Sequence, residues 1–240
     1  MSDSAFRVRI VSYNVEFSRS ATPEQIGEAL KPLAVDLVGF CEAPAGDWTA
    51  RVGRVMGLAH AWVGEVSSAN HKDKYKSVLS RTPFDTTTEH RLTSGRGWNP
   101  ASVVAVTTRI GGLPVAFGSL HICASGRDDG HAHEWATMVL PRESCPRLVV
   151  VGDYNNELDA PAMLGLEAAG MRSCWRDLPI DVKRHYTWNA FVPGARGQGV
   201  IDHILYRQSS GMRVTGGGII EMATPLSDHK PIWAELTLPA

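Results

Sequence analysis

The sequence predicts an α/β protein in which two β-sheets pack face to face, with helices on their outer faces. Three observations predict it. Apolar runs of strand length recur from one end of the chain to the other. Stretches with helix start and stop signals fall among them, but without the strict β–α alternation of a barrel or a doubly wound sheet. No repeat, low-complexity tract or Pro/Ser-rich linker divides the 240 residues, so residues 1–240 are expected to form a single domain.

In chain order, residues 6–13 alternate as a strand, with Val8, Ile10 and Ser12 on one face and Arg7, Arg9 and Val11 on the other. Thr22-Pro23-Glu24-Gln25 opens a helix: Thr22 is the N-cap, Pro23 takes the first helical position and Gln25 completes a capping box. That helix turns Ile26, Leu30 and Leu33 inward. Residues 36–40 form a short buried strand and 47–56 a second helix. The middle of the chain is strand-rich, with strands at 75–80, 86–92, 102–108 and 115–121, punctuated by Thr82-Pro83 and Gly111-Gly112. Residues 128–140 read as a helix, 147–151 as an apolar strand ending in Gly-Asp, and 161–169 as a helix stopped by Gly170. Strands at 200–206, 212–216 and 232–238 complete the set.

The 43% hydrophobic and 20% charged content places the chain among ordinary globular proteins. A net charge of -1 provides no global basic field to draw in long nucleic acid. Arg outnumbers Lys, which suits bidentate phosphate contacts in a local cleft. Cys41, Cys123, Cys145 and Cys174 form no C-x-x-C pair, and free thiols are expected. The N-terminus has no signal-peptide pattern, and no apolar run reaches the ~18 residues of a membrane span. The expectation is a reduced, soluble, cytoplasmic protein with no membrane contact and no obligate protein partner.

Polar residues cluster where the apolar runs begin or end. Glu42 closes Val38-Gly39-Phe40-Cys41, where a carboxylate can bind a hard divalent cation. Asp153 and Asn155 are two apart, so in extended backbone both face one way. A carboxylate can then take a proton from water while the amide fixes its geometry. His121 ends a strand. His229 follows Asp228 in Ser227-Asp228-His229-Lys230-Pro231, just before the last strand. A carboxylate beside an imidazole holds it protonated near neutral pH, and Asp202 is the candidate partner of His229. Taken alone, Asp153 with Asn155 is as compatible with a turn as with chemistry, while a lone Glu42 reads first as a solvated strand exit and a lone histidine as one satisfied by a backbone carbonyl. What carries the reading is that strand ends of two packed sheets can converge on one rim.

The ordered set Asn14, Glu42, His121, Asp153-x-Asn155, Asp202 and Asp228-His229 resembles that of the endonuclease/exonuclease/phosphatase superfamily over about residues 6–238. The segments that carry it include Ser12-Tyr13-Asn14-Val15, Cys41-Glu42, Ser119-Leu120-His121, Gly152-Asp153-Tyr154-Asn155, Tyr186-Thr187-Trp188, Ile201-Asp202-His203 and Ser227-Asp228-His229. The resemblance implies a four-layer α/β/β/α sandwich of two mixed sheets flanked by helices. It also implies hydrolysis of phosphoester bonds with Mg²⁺, or Mn²⁺, as cofactor. By position Glu42 looks like the principal metal ligand, with Asn14 beside it, Asp228 as a further carboxylate and Glu16 as an additional one. Asp153 and Asn155 match the pair that positions water and phosphate. His229 with Asp202 matches the imidazole at the scissile phosphate, and His121 a second phosphate-binding histidine. The resemblance also assigns Asn14, Asn155 and His121 to substrate binding. The spacing leaves open whether Asp153 or His229 takes the water's proton. Phe40-Cys41-Glu42-Ala43-Pro44 departs from the family's usual Gln-Glu pair at this strand end.

The substrate expected is a phosphoester, either nucleic acid or a small phosphorylated molecule. His71-Lys72-Asp73-Lys74-Tyr75-Lys76 reads as a solvated basic loop sooner than as a phosphate or base contact, and residues 96–100 and 194–199 read equally as Arg-bearing loops at the pocket rim or as ordinary turns. The competing expectation is a catalytically silent module of the same fold that binds phosphorylated ligands.

Overall fold

The computed structural model describes residues 6–123 and 130–239. Its twelve strands are β1 (Phe6–Asn14), β2 (Leu37–Ala43), β3 (His60–Val63), β4 (Tyr75–Ser80), β5 (Phe84–Leu92), β6 (Ala101–Ile110), β7 (Leu113–His121), β8 (Leu148–Asp153), β9 (Met171–Ser173), β10 (Asp202–Arg207), β11 (Arg213–Ile219) and β12 (Ile232–Leu238). They form two six-stranded sheets, ordered β11-β12-β1-β2-β4-β3 and β5-β6-β7-β8-β10-β9. Both sheets are mixed. Each has one parallel pair at its centre, β1 with β2 and β7 with β8, and its remaining neighbours are antiparallel.

Period-two alternation sorts the side chains of each strand between two cores. Val8 and Ile10 of β1 and Leu37 of β2 meet Phe117, Val149, Val151 and Ile204 between the sheets. Val11, Tyr13, Val38 and Phe40 face outward, onto Ile26 and Leu30 of α1 (Pro23–Leu30) and Val52 of α2 (Trp48–Met56). On the far side, Leu120, Val150 and Leu205 pack under Ala132 of α3 (Gly130–Glu134) and Met163 and Leu166 of α4 (Pro161–Ala168). The layering is therefore helix, sheet, sheet, helix. The Thr22 capping box forms as expected, with Thr22 Oγ1 accepting from Gln25 N–H at 3.3 Å and Gln25 Oε1 from Thr22 N–H at 2.8 Å.

The expected elements are present, with instructive differences. Strands β3 and β9 are additional, and both are short. The expected helix at 128–140 is described from Gly130, where it passes from α-helix into a π-turn at Trp135–Val139 and a 3₁₀ turn at Leu140–Arg142. Asp128 and Asp129 lie outside the described residues. β2 does not stop at Phe40 but continues through a bulge to Ala43, so Glu42 lies inside a strand rather than after one.

The sheets approach closely at the rim where the parallel pairs end. A Cβ on Gly39 would stand 2.3 Å from Val151 Cγ2 of the facing sheet. Ser119 Oγ donates across to Phe40 O at 2.9 Å, and the free thiol of Cys41 donates to Leu120 O at 2.9 Å. Gly152 has φ +152°, and a Cβ there would meet Leu120 O at 1.9 Å, so only glycine fits.

Candidate active site

Strand register brings the polar residues together. His121, Asp153 and Asp202 occupy one row across β7, β8 and β10, through the pairs His121 with Asp153 and Asp153 with Asp202. On the other sheet, Asn14 at the end of β1 pairs with Cys41, one residue before Glu42. The loop before β12 is anchored there by Ser227 Oγ, which donates to Asn14 O at 2.8 Å. Ala190 N–H donates to Asp228 O and Lys230 N–H to Thr187 O, each at 2.7 Å, so residues 187–190 hold His229 from the other side. Thr187 Oγ1 also accepts from Asp202 N–H at 3.2 Å. Thr187 thus positions both members of the His229–Asp202 pair.

The side chains form one connected group spanning the two sheets. Asn14 Nδ2 donates to Asp153 Oδ2 at 3.0 Å, and the same oxygen lies 3.5 Å from His121 Nε2 and 3.6 Å from His229 Nε2. Asp153 Oδ1 accepts from Asn155 N–H at 2.8 Å. Asn155 stands just past the strand with φ +50°, which folds its amide back so that Nδ2 reaches Ile122 O at 2.9 Å and His121 Nε2 at 3.2 Å. His229 Nδ1 is 2.8 Å from Asp202 Oδ2. Glu42 joins the group through His121, whose Nδ1 is 3.9 Å from Glu42 Oε1. Glu42, Asp153 and His229 are therefore linked through His121 into one contiguous group.

The two histidines differ in charge: His229 is protonated and His121 neutral. Burial opposes the imidazolium of His229, but the carboxylates of Asp202 and Asp153 outweigh it and raise the group to about 10. With both nitrogens protonated, Nδ1–H donates to Asp202. Nε2–H faces Asp153 and cannot bond Asn14 Nδ2, another donor, 3.4 Å away. Burial holds His121 well below the usual histidine range, reinforced by the charges of Lys76 and Lys74. Asn155 Nδ2 donates to Nε2 of this neutral ring, so the proton sits on Nδ1, a buried atom with no hydrogen-bond partner. Burial raises the Asp153 carboxyl to about 7 against the pull of the His229 imidazolium, and the Asp202 charge adds to the rise.

Among the described residues, Asp153, Asp202 and His229 are the one set of three potential ligand residues whose atoms lie within 4.8 Å of one another. A protonated imidazole between two carboxylates has no lone pair to offer, so this set is a proton network rather than a cation cage. The expected ligands Glu42, Asp228, Asn14 and Glu16 are less compact but offer the hard oxygens that Mg²⁺ and Mn²⁺ prefer. Glu16 Oε2 is buried without a partner, and burial together with the Asp228 charge raises the Glu16 carboxyl. Arg19 pairs with Glu16 Oε1 at 3.1 Å, which leaves the unpartnered Oε2 as the oxygen available to a cation. The donor set therefore fits a divalent ion.

The basic segment 71–76 is not the solvated loop expected. Lys76 is fully buried, donating to Val66 O at 2.7 Å and Ser68 Oγ at 3.2 Å. Lys74 Nζ donates to Glu42 Oε1 at 2.9 Å. The only sequence cue is that Lys74 and Lys76, two apart at a strand entrance, share a face. Both Arg-bearing loops reach the rim. Trp98 packs against His121 in a T-shaped contact, with ring centroids 5.1 Å apart. Gln198 and Gly199 join Asn155, Glu157 and His185 in lining a cleft of about 570 Å³. No helix among the described residues is long and apolar enough to cross a membrane.

Comparison with known proteins follows the same geometry. Residues 11–229 match the model of the Endonuclease/Exonuclease/phosphatase family. A search of curated proteins finds no match. Among solved structures, an endonuclease/exonuclease/phosphatase from Beutenbergia cavernae is 20% identical with a TM-score of 0.80, over 98% of this chain and 72% of that one. A mannosyl-6-phosphatase from Bacteroides thetaiotaomicron is 18% identical with a TM-score of 0.73, over 95% and 99%. D. rerio TDP2, complexed with single strand DNA product, is 14% identical with a TM-score of 0.74, over 96% and 98%. Identities this low speak to the fold.

Proposed function

From the premise that this chain belongs to the endonuclease/exonuclease/phosphatase family, whose members are generally phosphoester hydrolases, we propose that it hydrolyses a phosphoester bond by in-line attack of water, with a divalent cation as cofactor. The observation that carries the reading is the buried His229, held between Asp202 at 2.8 Å and Asp153 at 3.6 Å at the meeting of the two sheets. His229 Nε2–H donates to a phosphoryl oxygen, and Asp202 fixes its ring and its charge. His121 donates its otherwise unpartnered Nδ1–H to another oxygen. Asp153, already fixed by Asn14 and by the Asn155 N–H, takes the proton of the attacking water; a carboxyl raised toward neutrality suits that role. Asn14 and Asn155 orient the phosphate. Glu42, Asp228, Asn14 and Glu16 would hold Mg²⁺ or Mn²⁺, which supplies positive charge to the phosphoryl oxygens. Charge of that kind, fixed before the reaction begins, is what lowers the barrier.

The cleft beside Asn155, about 570 Å³, is of the size that takes a small ligand. The balanced charge supports a compact phosphoester as well as it does a nucleic-acid end, and solved structures of this fold include a mannosyl-6-phosphatase and a protein complexed with single strand DNA product. One observation favours a silent phosphate-binding module instead: Lys74 pairs with Glu42, the expected principal cation ligand. Hydrolysis of bis(p-nitrophenyl) phosphate and p-nitrophenyl phosphate with Mg²⁺ or Mn²⁺, with and without chelator, separates the two. The expected result is chelator-sensitive release that falls by ~10²–10⁴ in both Asp153→Asn and His229→Ala. Release that neither substitution slows removes these residues from the chemistry. No release with either cation leaves the silent module.

A further inference from the structure

The buried carboxylate of Glu42 is neutralised by one of the chain's own side chains. We propose that Lys74 is a resident counter-cation of Glu42, which a divalent ion must displace in order to bind; the inference rests on the reading of Glu42 as a cation ligand. Glu42 sits at φ +53° in the β2 bulge and is only 7% exposed. A carboxylate so buried needs a partner. His121 Nδ1, at 3.9 Å, is too far to hydrogen-bond it, whereas Lys74 Nζ is at 2.9 Å.

Two features make Lys74 a placeholder rather than a fixed strut. Its backbone is pinned, since its N–H donates to Ser67 Oγ at 3.0 Å and its carbonyl accepts from Ser68 N–H at 2.9 Å. Its side chain, however, reaches the rim. It is 27% exposed, so on leaving Glu42 the ammonium can turn out to water, giving up only the contact of Nζ with the Phe17 ring at 5.7 Å from its centroid. Lys76 cannot do the same, being fully buried and bonded to Val66 O and Ser68 Oγ. An ammonium 2.9 Å from Oε1 fills the volume in which an ion would sit at about 2.0–2.1 Å from that oxygen. The two cations exclude each other by space and by charge. Metal-free protein is thereby stabilised, and cation affinity is lowered by the work of moving Lys74.

The test uses wild type, Lys74→Met, Lys74→Gln, Glu42→Gln and the control Lys72→Met, whose side chain is 88% exposed and pairs only loosely with Asp73 at 3.9 Å. Each is titrated with Mn²⁺ at fixed ionic strength, with free ion read by electron paramagnetic resonance, and each is melted in EDTA. Both Lys74 variants are expected to bind Mn²⁺ about tenfold more tightly, equivalent to about 1.4 kcal/mol, and to melt below wild type in EDTA. Lys72→Met should leave Mn²⁺ affinity nearly unchanged. Affinity in the Lys74 variants that is unchanged, weaker, or no tighter than in the control overturns the proposal while leaving the cation site standing. Wild-type affinity in Glu42→Gln overturns the reading of Glu42 itself, and the proposal with it.

Discussion

His121, His229 and His203 are all nearly inaccessible, yet their neighbours give them different charge states. His229 faces two carboxylates and stays protonated, while His121, lowered first by burial and then by two nearby lysines, stays neutral. His203, beneath the site, is lowered to about 4, chiefly by burial, and its Nε2–H donates to Asn156 O at 2.8 Å. This depression makes a pH prediction. Above pH 6.5 the ring is neutral in both the folded and unfolded states. As pH falls from 6.5 toward 4, the unfolded chain takes up a proton that the native one refuses, and stability drops by about 3 kcal/mol. Urea unfolding of wild type and His203→Gln across that range should show their stability difference shrinking by most of this amount. A difference independent of pH would remove His203 as the source. Residue identity and spacing made His121 and His229 candidates; the charge each carries depends on groups distant in sequence.

Among the elements, the parallel pairs β1–β2 and β7–β8 matter most, because their carboxyl ends carry the site. Their contact depends on small residues. Gly39 lets Val151 of the facing sheet approach, and Gly152 lets β8 pass the Leu120 carbonyl. Gly39→Ala should destabilise the fold by about 1–3 kcal/mol through overpacking against Val151. Val151→Ala alone should also destabilise, but the double variant should lose at least about 0.5 kcal/mol less than the sum, since the second change removes the atom that the first strikes. Denaturant midpoints for the four proteins complete the cycle; strict additivity would show that the two residues do not define the inter-sheet spacing. The elements that sequence reasoning missed are those with the weakest local signal. β3 has four residues and β9 three, too few for alternation to register. The β2 bulge was equally hidden, because it arises from pairing with β4, which no residue in Cys41-Glu42-Ala43 announces.

At the scale of the molecule, the core between the sheets draws on residues from Val8 to Leu238, and the last strand pairs with the first. Neither sheet can expose its inner face without stripping the other. We therefore expect a single cooperative unfolding transition, with calorimetric and van't Hoff enthalpies equal in a scan of the metal-free protein. Two resolved transitions would divide the chain into separately stable units. The same closure explains why sequence-distant groups share one buried network: the site lies on the seam that folding must complete.

The sequence by itself determined which residue types stand at the strand ends, because hydrophobic alternation and turn chemistry are local and survive in one dimension. That was enough for the sandwich, for the candidate set from Asn14 to His229, and for the family resemblance that residues 11–229 bear out. Only the tertiary structure decided how those residues meet: Asp153 Oδ2 bonded by Asn14 and within 3.6 Å of His121 and His229, Thr187 steadying Asp202, and Lys74 lodged on Glu42. Distance, burial and the resulting charge depend on which strands become neighbours, and strand pairing is a property of the whole chain.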